Sequence, residues 1–326
     1  MLYLDEHAIN KAVSMKEIID GIDQAYMIYE DETFHMPTRF QVSESGNTLL
    51  LMPCFTEEYI TTKLVTVYPN NKWIHQPTIE GLVVLNCNQT GKVKALMDGA
   101  YLTGLRTGAV GGSAVRHLAK QDASTLTIIG TGVQGFYQAI AACEERPINK
   151  IIVYNRTQGE KVASFIDRLK AAIAPGITIC AAKSAEKAVS QAEIVITATT
   201  SSEPVLPDKK ALLKGKLVIG VGSFQPDMRE FPKALYNLAS TIIVDTHDAI
   251  EESGDIAEPL KKGWIQEKDV QTLSTLIRKQ TELPHHKDEA IIFKTTGMAL
   301  FDAVVAAVIY QAAIQKSEGT WLDGNL

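Results

Sequence analysis

The stretch "TLTIIGTGVQGFYQAI", residues 125–140, constrains the fold more than any other part of the chain. An apolar run ends at Gly130, and Gly132 and Gly135 complete a G-x-G-x-x-G spacing before a helical pattern begins. The first glycine permits a sharp turn, and the second leaves the backbone bare. The third lets the helix pack on the strand, so the amides at the positive helix end face outward. The same rhythm continues downstream. "KIIVYN", "GITIC", "EIVITAT", "KLVIGVG" and "TIIVD" alternate with helical stretches such as 133–145 and 158–173. Apolar strand cores alternating with helices describe a parallel sheet covered on both faces. The fold class is therefore α/β, a Rossmann-type doubly wound parallel sheet, and the glycine turn is a cradle for the pyrophosphate of a dinucleotide.

In such a unit the second strand usually ends on a carboxylate that holds the adenine ribose hydroxyls. Here "IIVYNRTQG" places Asn155, Arg156 and Thr157 at that point. An acid would repel a 2′-phosphate, whereas a guanidinium pairs with one and the neighbouring polar groups can donate hydrogen bonds. The spacing thus favours NADP(H) over NAD(H), with use of both left open.

The chain's 326 residues are too many for one typical core. Ser14 and Glu17 form a capping box, and Ile18, Ile22, Ala25, Tyr26 and Tyr29 share a face, which predicts a helix over 14–32. Residues 38–97 are strand-rich, with "NQTG" as a hairpin turn. Residues 98–119 read as a helix despite Gly104, Gly108, Gly111 and Gly112, each costing about 1 kcal/mol against alanine. Such a helix either packs tightly against another backbone or lies beside a cofactor. After about 294, "KTTGMALFDAVVAAVIYQAAIQK" reads as a long closing helix with a threonine near its N-cap. It returns to the first domain, giving a discontinuous α+β domain of residues 1–120 plus 295–326 around a dinucleotide-binding domain of 121–294.

Several classes are disfavoured. A net charge of −6 provides no broad cationic surface, so no nucleic-acid partner is expected. Cys54, Cys87, Cys143 and Cys180 lie far apart without a CxxC pair, which argues against a zinc ribbon and suits a reducing cytoplasm. "MLYLDEHAIN" carries acids where a signal peptide would be positive. The apolar segment 298–310 is short and contains Asp302, so it reads as a buried helix and no membrane is expected. The histidines show no ligand spacing, and no metal is predicted.

Three cations stand out in the first 120 residues: Arg39 in "MPTRFQV", Lys63 in "TTKLVTVYPNN" and Arg106 in "LTGLRTGAV". Taken singly, each is more often a solvated surface charge. Read together with "GKVKALMDGAYLTGLRTGAV", "IIGTGVQG", "VGSFQPDMRE", "EESGDI" and "KTTGMALFDAVVA", these segments resemble the ornithine cyclodeaminase/mu-crystallin family over nearly the whole chain. The resemblance implies a homodimer whose N-terminal segment and last helix form the substrate and dimerisation domain. It also implies imine reduction, or interconversion of amino and imino acids, with nicotinamide. By resemblance, Arg39 and Arg106 grip the substrate carboxylate, Lys63 manages the proton, and Arg106 also contacts cofactor. Cofactor contacts fall on Thr78, Val133, Gln134, Asn155, Arg156, Thr199 and Val221, beside Gly130, Gly132 and Gly135.

One position departs from the pattern. Cyclodeaminases resembling this chain carry an aspartate where Phe224 stands, and an aromatic ring cannot pair with ornithine's ammonium. The form with Asp227 and Arg229 is more similar to the mu-crystallin ketimine reductases, while catalytic parts for Asp227 and Glu252 stay open. The expected activity is NAD(P)H-dependent reduction of small cyclic 2-imino acids, Δ1-pyrroline-2-carboxylate to L-proline above all. The alternatives are ornithine cyclodeaminase, an alanine-type amino-acid dehydrogenase, and a non-enzymatic protein that sequesters a small ligand.

Overall fold

A computed structural model describes residues 1–281, 283 and 285–322. The first elements are β1 (Leu2–Leu4), α1 (Glu6–Ala12), α2 (Met15–Asp31), β2 (Phe40–Glu44), β3 (Asn47–Phe55), β4 (Tyr59–Val67), β5 (Ile79–Cys87), β6 (Val93–Asp98) and α3 (Gly99–Leu118). Then come β7 (Thr125–Ile129), α4 (Val133–Glu145), β8 (Lys150–Tyr154), α5 (Glu160–Ala172), β9 (Thr178–Ala181), α6 (Ala185–Ser190) and β10 (Ile194–Thr197). They are followed by α7 (Lys210–Leu213), β11 (Leu217–Gly220), α8 (Lys233–Tyr236), β12 (Ala239–Val244), α9 (Ala249–Glu252) and α10 (Gly254–Lys261). The chain closes with β13 (Val270–Thr272), α11 (Leu273–Lys279), β14 (Ala290–Lys294), α12 (Ala299–Lys316) and β15 (Thr320–Trp321). Two units result, one of Met1–Arg106 with Met298–Leu326 and the other of Thr107–Gly297.

In the first unit a mixed sheet runs in the order β15-β1-β6-β5-β4-β3-β2. Strand alternation gives it two unlike faces. On β4, Thr61, Lys63 and Val65 are buried, whereas Leu64 is 39% exposed. Helix α12 packs on the buried side, and α2 packs against α12. Ser14 caps α2 as its spacing predicts: the Glu17 amide donates to Ser14 Oγ at 3.3 Å, and the Ser14 amide donates to the Glu17 carboxylate at 2.7 Å. Tyr26 of α2 meets Phe301 of α12 edge to face, with ring centroids 5.1 Å apart. By length and composition α12 could cross a membrane, yet its residues from Ala299 to Ala306 are all buried within this unit.

The second unit is a fully parallel sheet in the order β13-β12-β14-β11-β10-β7-β8-β9. Strands β10, β11 and β14 are buried at every residue, as expected for strands covered on both sides. The chain winds from β7 outward through β8 and β9, then restarts at β10 on the other side. That reversal opens the ligand crevice at the carboxyl ends of β7 and β10.

Two local expectations resolve here. Two of the glycines of α3 serve close helix packing: a Cβ on Gly108 would fall 2.6 Å from Tyr137 Cβ and 2.9 Å from Tyr137 backbone, and Gly111 lies against Gln138. Gln138 Nε2 also donates to the Thr107 carbonyl at 2.7 Å, so α4 is bonded to α3 as well as packed on it. The closing helix, by contrast, starts at Ala299 rather than near 294, and no threonine caps it. "AIIFK" before it is the buried strand β14, too short for its alternation to be read. Thr295 Oγ1 donates instead to Asp245 Oδ2 at 2.6 Å, and the same oxygen accepts the Gly297 amide at 2.7 Å. A buried carboxylate at the end of β12 thus holds Thr295 and Gly297 in the connection ahead of the helix.

Candidate active site

The glycine turn has the geometry its spacing predicts. Gly130 has φ 113, and any side chain there would strike the Ala198 carbonyl. A Cβ on Gly135 would strike the Gly130 carbonyl, so α4 approaches β7 only because that position is glycine. Gly132 differs, since a Cβ there would meet nothing within 4 Å. Gly132 is also the N-cap of α4, with no side-chain cap and no acid in the first turn. The positive end of a long helix is thus left to an outside anion. Beside it Thr131 Oγ1 and Gln134 Oε1 are buried without a hydrogen-bond partner among the described residues. Bare backbone, an uncapped helix and unpartnered polar atoms fit a dinucleotide pyrophosphate.

The other strand ends of this unit line up along the same edge. After β8, Asn155 Nδ2 donates to the Thr157 carbonyl at 2.8 Å, and the Gln158 side-chain amide donates to the Asn155 carbonyl. Asn155 therefore shapes the turn, and exposed Arg156 is the charge it presents. After β10, the backbone amide and Oγ1 of Thr199 both donate to Glu230 Oε1 at 2.8 Å. After β11, Val221 is buried and the Gly222 amide donates to Glu230 Oε2 at 2.7 Å.

In the first unit the structure brings two expected cations together on one unexpected acid. Lys63 Nζ lies 2.8 Å from Asp302 Oδ2, and Arg106 Nε lies 3.1 Å from Asp302 Oδ1. Their residues are 3%, 7% and 1% exposed for Lys63, Arg106 and Asp302, so none of these charges has bulk water to lean on. Arg39, half-buried before β2, acts on Lys63 through its positive charge. Burial lowers the Lys63 pKa to about 8, with Arg106 and Arg39 pushing the same way and Asp302 opposing them. Burial alone would push the Asp302 carboxyl up, but Arg106 and Lys63 outweigh it and hold it below the ordinary carboxylate range. Two cations on one carboxylate leave positive charge in excess, and Arg39 adds its charge at Lys63, which suits an anionic guest. Thr78 also lies in this unit, half-buried ahead of β5, where its carbonyl accepts from the Tyr68 amide at 2.8 Å.

The motifs around Phe224 prove to brace one another. Ser223 Oγ donates to the Met228 carbonyl at 2.7 Å and lies 2.9 Å from Ser253 Oγ, while the Gly254 amide donates to the Gln225 carbonyl. Phe224 itself is 48% exposed, and Asp227 is exposed beside it. Asp302 and Glu230 are the residues that sequence reasoning missed. Asp302 did leave a signal, since a lone charge in an apolar helix must find a partner. Glu230 left none, sitting in a loop where acids are ordinary.

The sequence model described as "Ornithine cyclodeaminase/mu-crystallin family" matches residues 2–317. A Δ1-pyrroline-2-carboxylate reductase of Bacillus cereus is 36% identical over 325 residues, 98% of each chain. The structure of Thermococcus litoralis Δ1-pyrroline-2-carboxylate reductase in complex with NADH and L-proline superposes with a TM-score of 0.90 at 31% identity, covering 99% of this chain and 100% of that one. An archaeal alanine dehydrogenase dimer with bound NAD gives 0.89 at 28% identity, covering 99% of both.

Removing one member of a buried ion cluster leaves the others uncompensated. Asp302→Asn, which keeps shape but strips the charge, is expected to lower the free energy of unfolding by about 3 kcal/mol in urea titrations. A loss near zero would show that Lys63 and Arg106 do not depend on Asp302.

Proposed function

The chain belongs to the ornithine cyclodeaminase/mu-crystallin family, and we propose that it is a cytoplasmic reductase of Δ1-pyrroline-2-carboxylate, forming L-proline. The observation that carries this reading is the buried Lys63–Asp302–Arg106 cluster with its excess positive charge. The first unit is the substrate domain and the second the dinucleotide-binding domain. The two guanidiniums, Arg39 and Arg106, grip the substrate carboxylate and fix the ring. Asp302 orients Lys63 and Arg106 and keeps Lys63 more basic than burial alone would leave it. Lys63 delivers the proton required at the imine nitrogen as the C=N bond becomes a secondary amine. The bound nicotinamide supplies the hydride. Phe224 gives no carboxylate for the second amine of ornithine, so release of ammonia is not part of this chemistry.

The test follows oxidation of the reduced cofactor with five- and six-membered cyclic imino acids, pyruvate plus ammonia, and ornithine. The five-membered substrate should turn over fastest, and ammonia released from ornithine without added NADPH would overturn the assignment. Lys63→Ala should lower turnover by on the order of 100-fold or more while NADPH still binds. In the wild type, turnover should fall as the pH rises through about 8, where the Lys63 ammonium is lost. Undiminished rates in the variant would remove Lys63 from the mechanism.

NADP(H) is the preferred cofactor in this reading, with NAD(H) accepted. It rests on exposed Arg156 and on the absence of an acid at the end of β8, where Tyr154, Asn155 and Arg156 follow one another. Arg156→Ala should reduce the NADPH to NADH ratio of kcat/KM by roughly tenfold, the worth of one charge-assisted contact of about 1.4 kcal/mol. An unchanged ratio would mean that selection lies elsewhere.

The protein acts as a homodimer in the same reading. Phe40, Leu51, Leu64 and Leu82 stand opposite one another across β2, β3, β4 and β5, forming an apolar row on the sheet face away from Lys63. Phe40, Leu64 and Leu82 are 59%, 39% and 43% exposed, a patch suited to a self-complementary interface. A Leu64→Glu, Leu82→Glu double variant should sediment as a folded monomer where the wild type sediments as a dimer. A dimeric double variant would rule this face out.

A further inference from the structure

Four buried ionisable groups lie in the second unit beneath the ends of β10, β11, β12 and β14: Glu230, Asp245, Asp255 and Lys294, all 0% exposed. Each one holds backbone. Lys294 Nζ donates to the Gly220 carbonyl at 3.1 Å, at the end of β11. Asp245 gathers the loop after β14. Asp255 Oδ1 accepts the amides of Glu230 at 2.8 Å and Phe231 at 2.9 Å, fixing the segment that carries Glu230. Glu230 then reaches two strand ends at once, through Thr199 on one oxygen and Gly222 on the other.

A backbone amide donates to each oxygen of Glu230, Thr199 N–H to Oε1 and Gly222 N–H to Oε2, so both oxygens accept. Burial pushes the Glu230 pKa up, Asp255 adds to that, and the Lys294 ammonium and the Thr199 donors pull it back. Two fixed backbone donors, one on each oxygen, and the Lys294 charge thus favour the carboxylate against the pull of burial.

In a doubly wound sheet the adenosine half of a dinucleotide lies over the first strands, here β7 and β8, and the other half over the strands beyond the reversal, here β10 and β11. We propose that Glu230 is a positioning residue that sets the floor for the nicotinamide half of the cofactor by locking the loops after β10 and β11 to each other. Glu230 acts through Thr199, Val221 and Gly222 and touches no reacting atom itself. The proposal rests on the cofactor reading given above, and its test separates the two.

Glu230→Gln keeps an acceptor for Thr199 but turns a donor toward the Gly222 amide. Fluorescence titration should show NADPH binding weakened by roughly tenfold, the cost of one misdirected buried hydrogen bond. Adenosine 2′,5′-bisphosphate, which carries only the adenine half, should bind the variant and the wild type alike. A merely structural residue would change both ligands together or neither. Glu230→Asp keeps the charge but is one methylene too short to span both loops; it should show the same split and serves if the glutamine variant does not fold. Equal NADPH affinity in a folded variant and the wild type, or equal weakening of both ligands, would overturn the proposal. Failure of the wild type to bind NADPH at all would instead overturn the cofactor reading.

Discussion

The Asp302 carboxylate is buried away from bulk water, and much of the first unit follows from that constraint. An isolated buried charge costs several kcal/mol, so the helix carrying it is tolerated only where cations are delivered to both oxygens. Strand β4 brings Lys63 from one direction and α3 brings Arg106 from another. Sheet, Gly-rich helix and closing helix are thereby tied at one point. In the proposed reaction the same tie serves the chemistry, because it places two cations at a fixed spacing with a net positive charge. An ammonium with a pKa of about 8 sits nearer neutrality than an ordinary lysine, a better match for proton delivery.

The second unit handles buried charge by the same rule for a different end. Its apolar strands cannot define where their connecting loops go, since side chains such as Ile196 and Ile219 make contacts without direction. Directional bonds come from Glu230, Asp245, Asp255 and Lys294, each aimed at backbone. The result is a rigid edge beside a glycine turn left open at Gly132. The sites share a logic in which desolvated charges, once paired, hold a geometry that packing alone leaves loose.

Much of the fold was legible because periodicity reports burial directly. The strands from β7 to β12, the helix over Val133–Glu145 and the capped start of α2 fall where the apolar pattern and the Ser14 and Glu17 spacing place them. Short elements escaped: β14 is five residues of mostly apolar chain, and such a run carries no period to distinguish strand from helix start. The glycines of α3 admitted two explanations, and only the position of α4 shows that Gly108 and Gly111 serve packing.

By itself the sequence determined the parallel sheet, the glycine turn, the guanidinium in place of an acid after β8, and the set of cations from which a carboxylate site could be made. These are local properties, carried by residue types at fixed short spacings. Tertiary structure alone decided which cations share an acid, since Asp302 lies 239 positions from Lys63 and its neighbours in sequence are apolar. It alone revealed that Glu230 joins two loops. Electrostatic partnership depends on distance and exclusion of water, and neither is encoded in the spacing of residues along a chain.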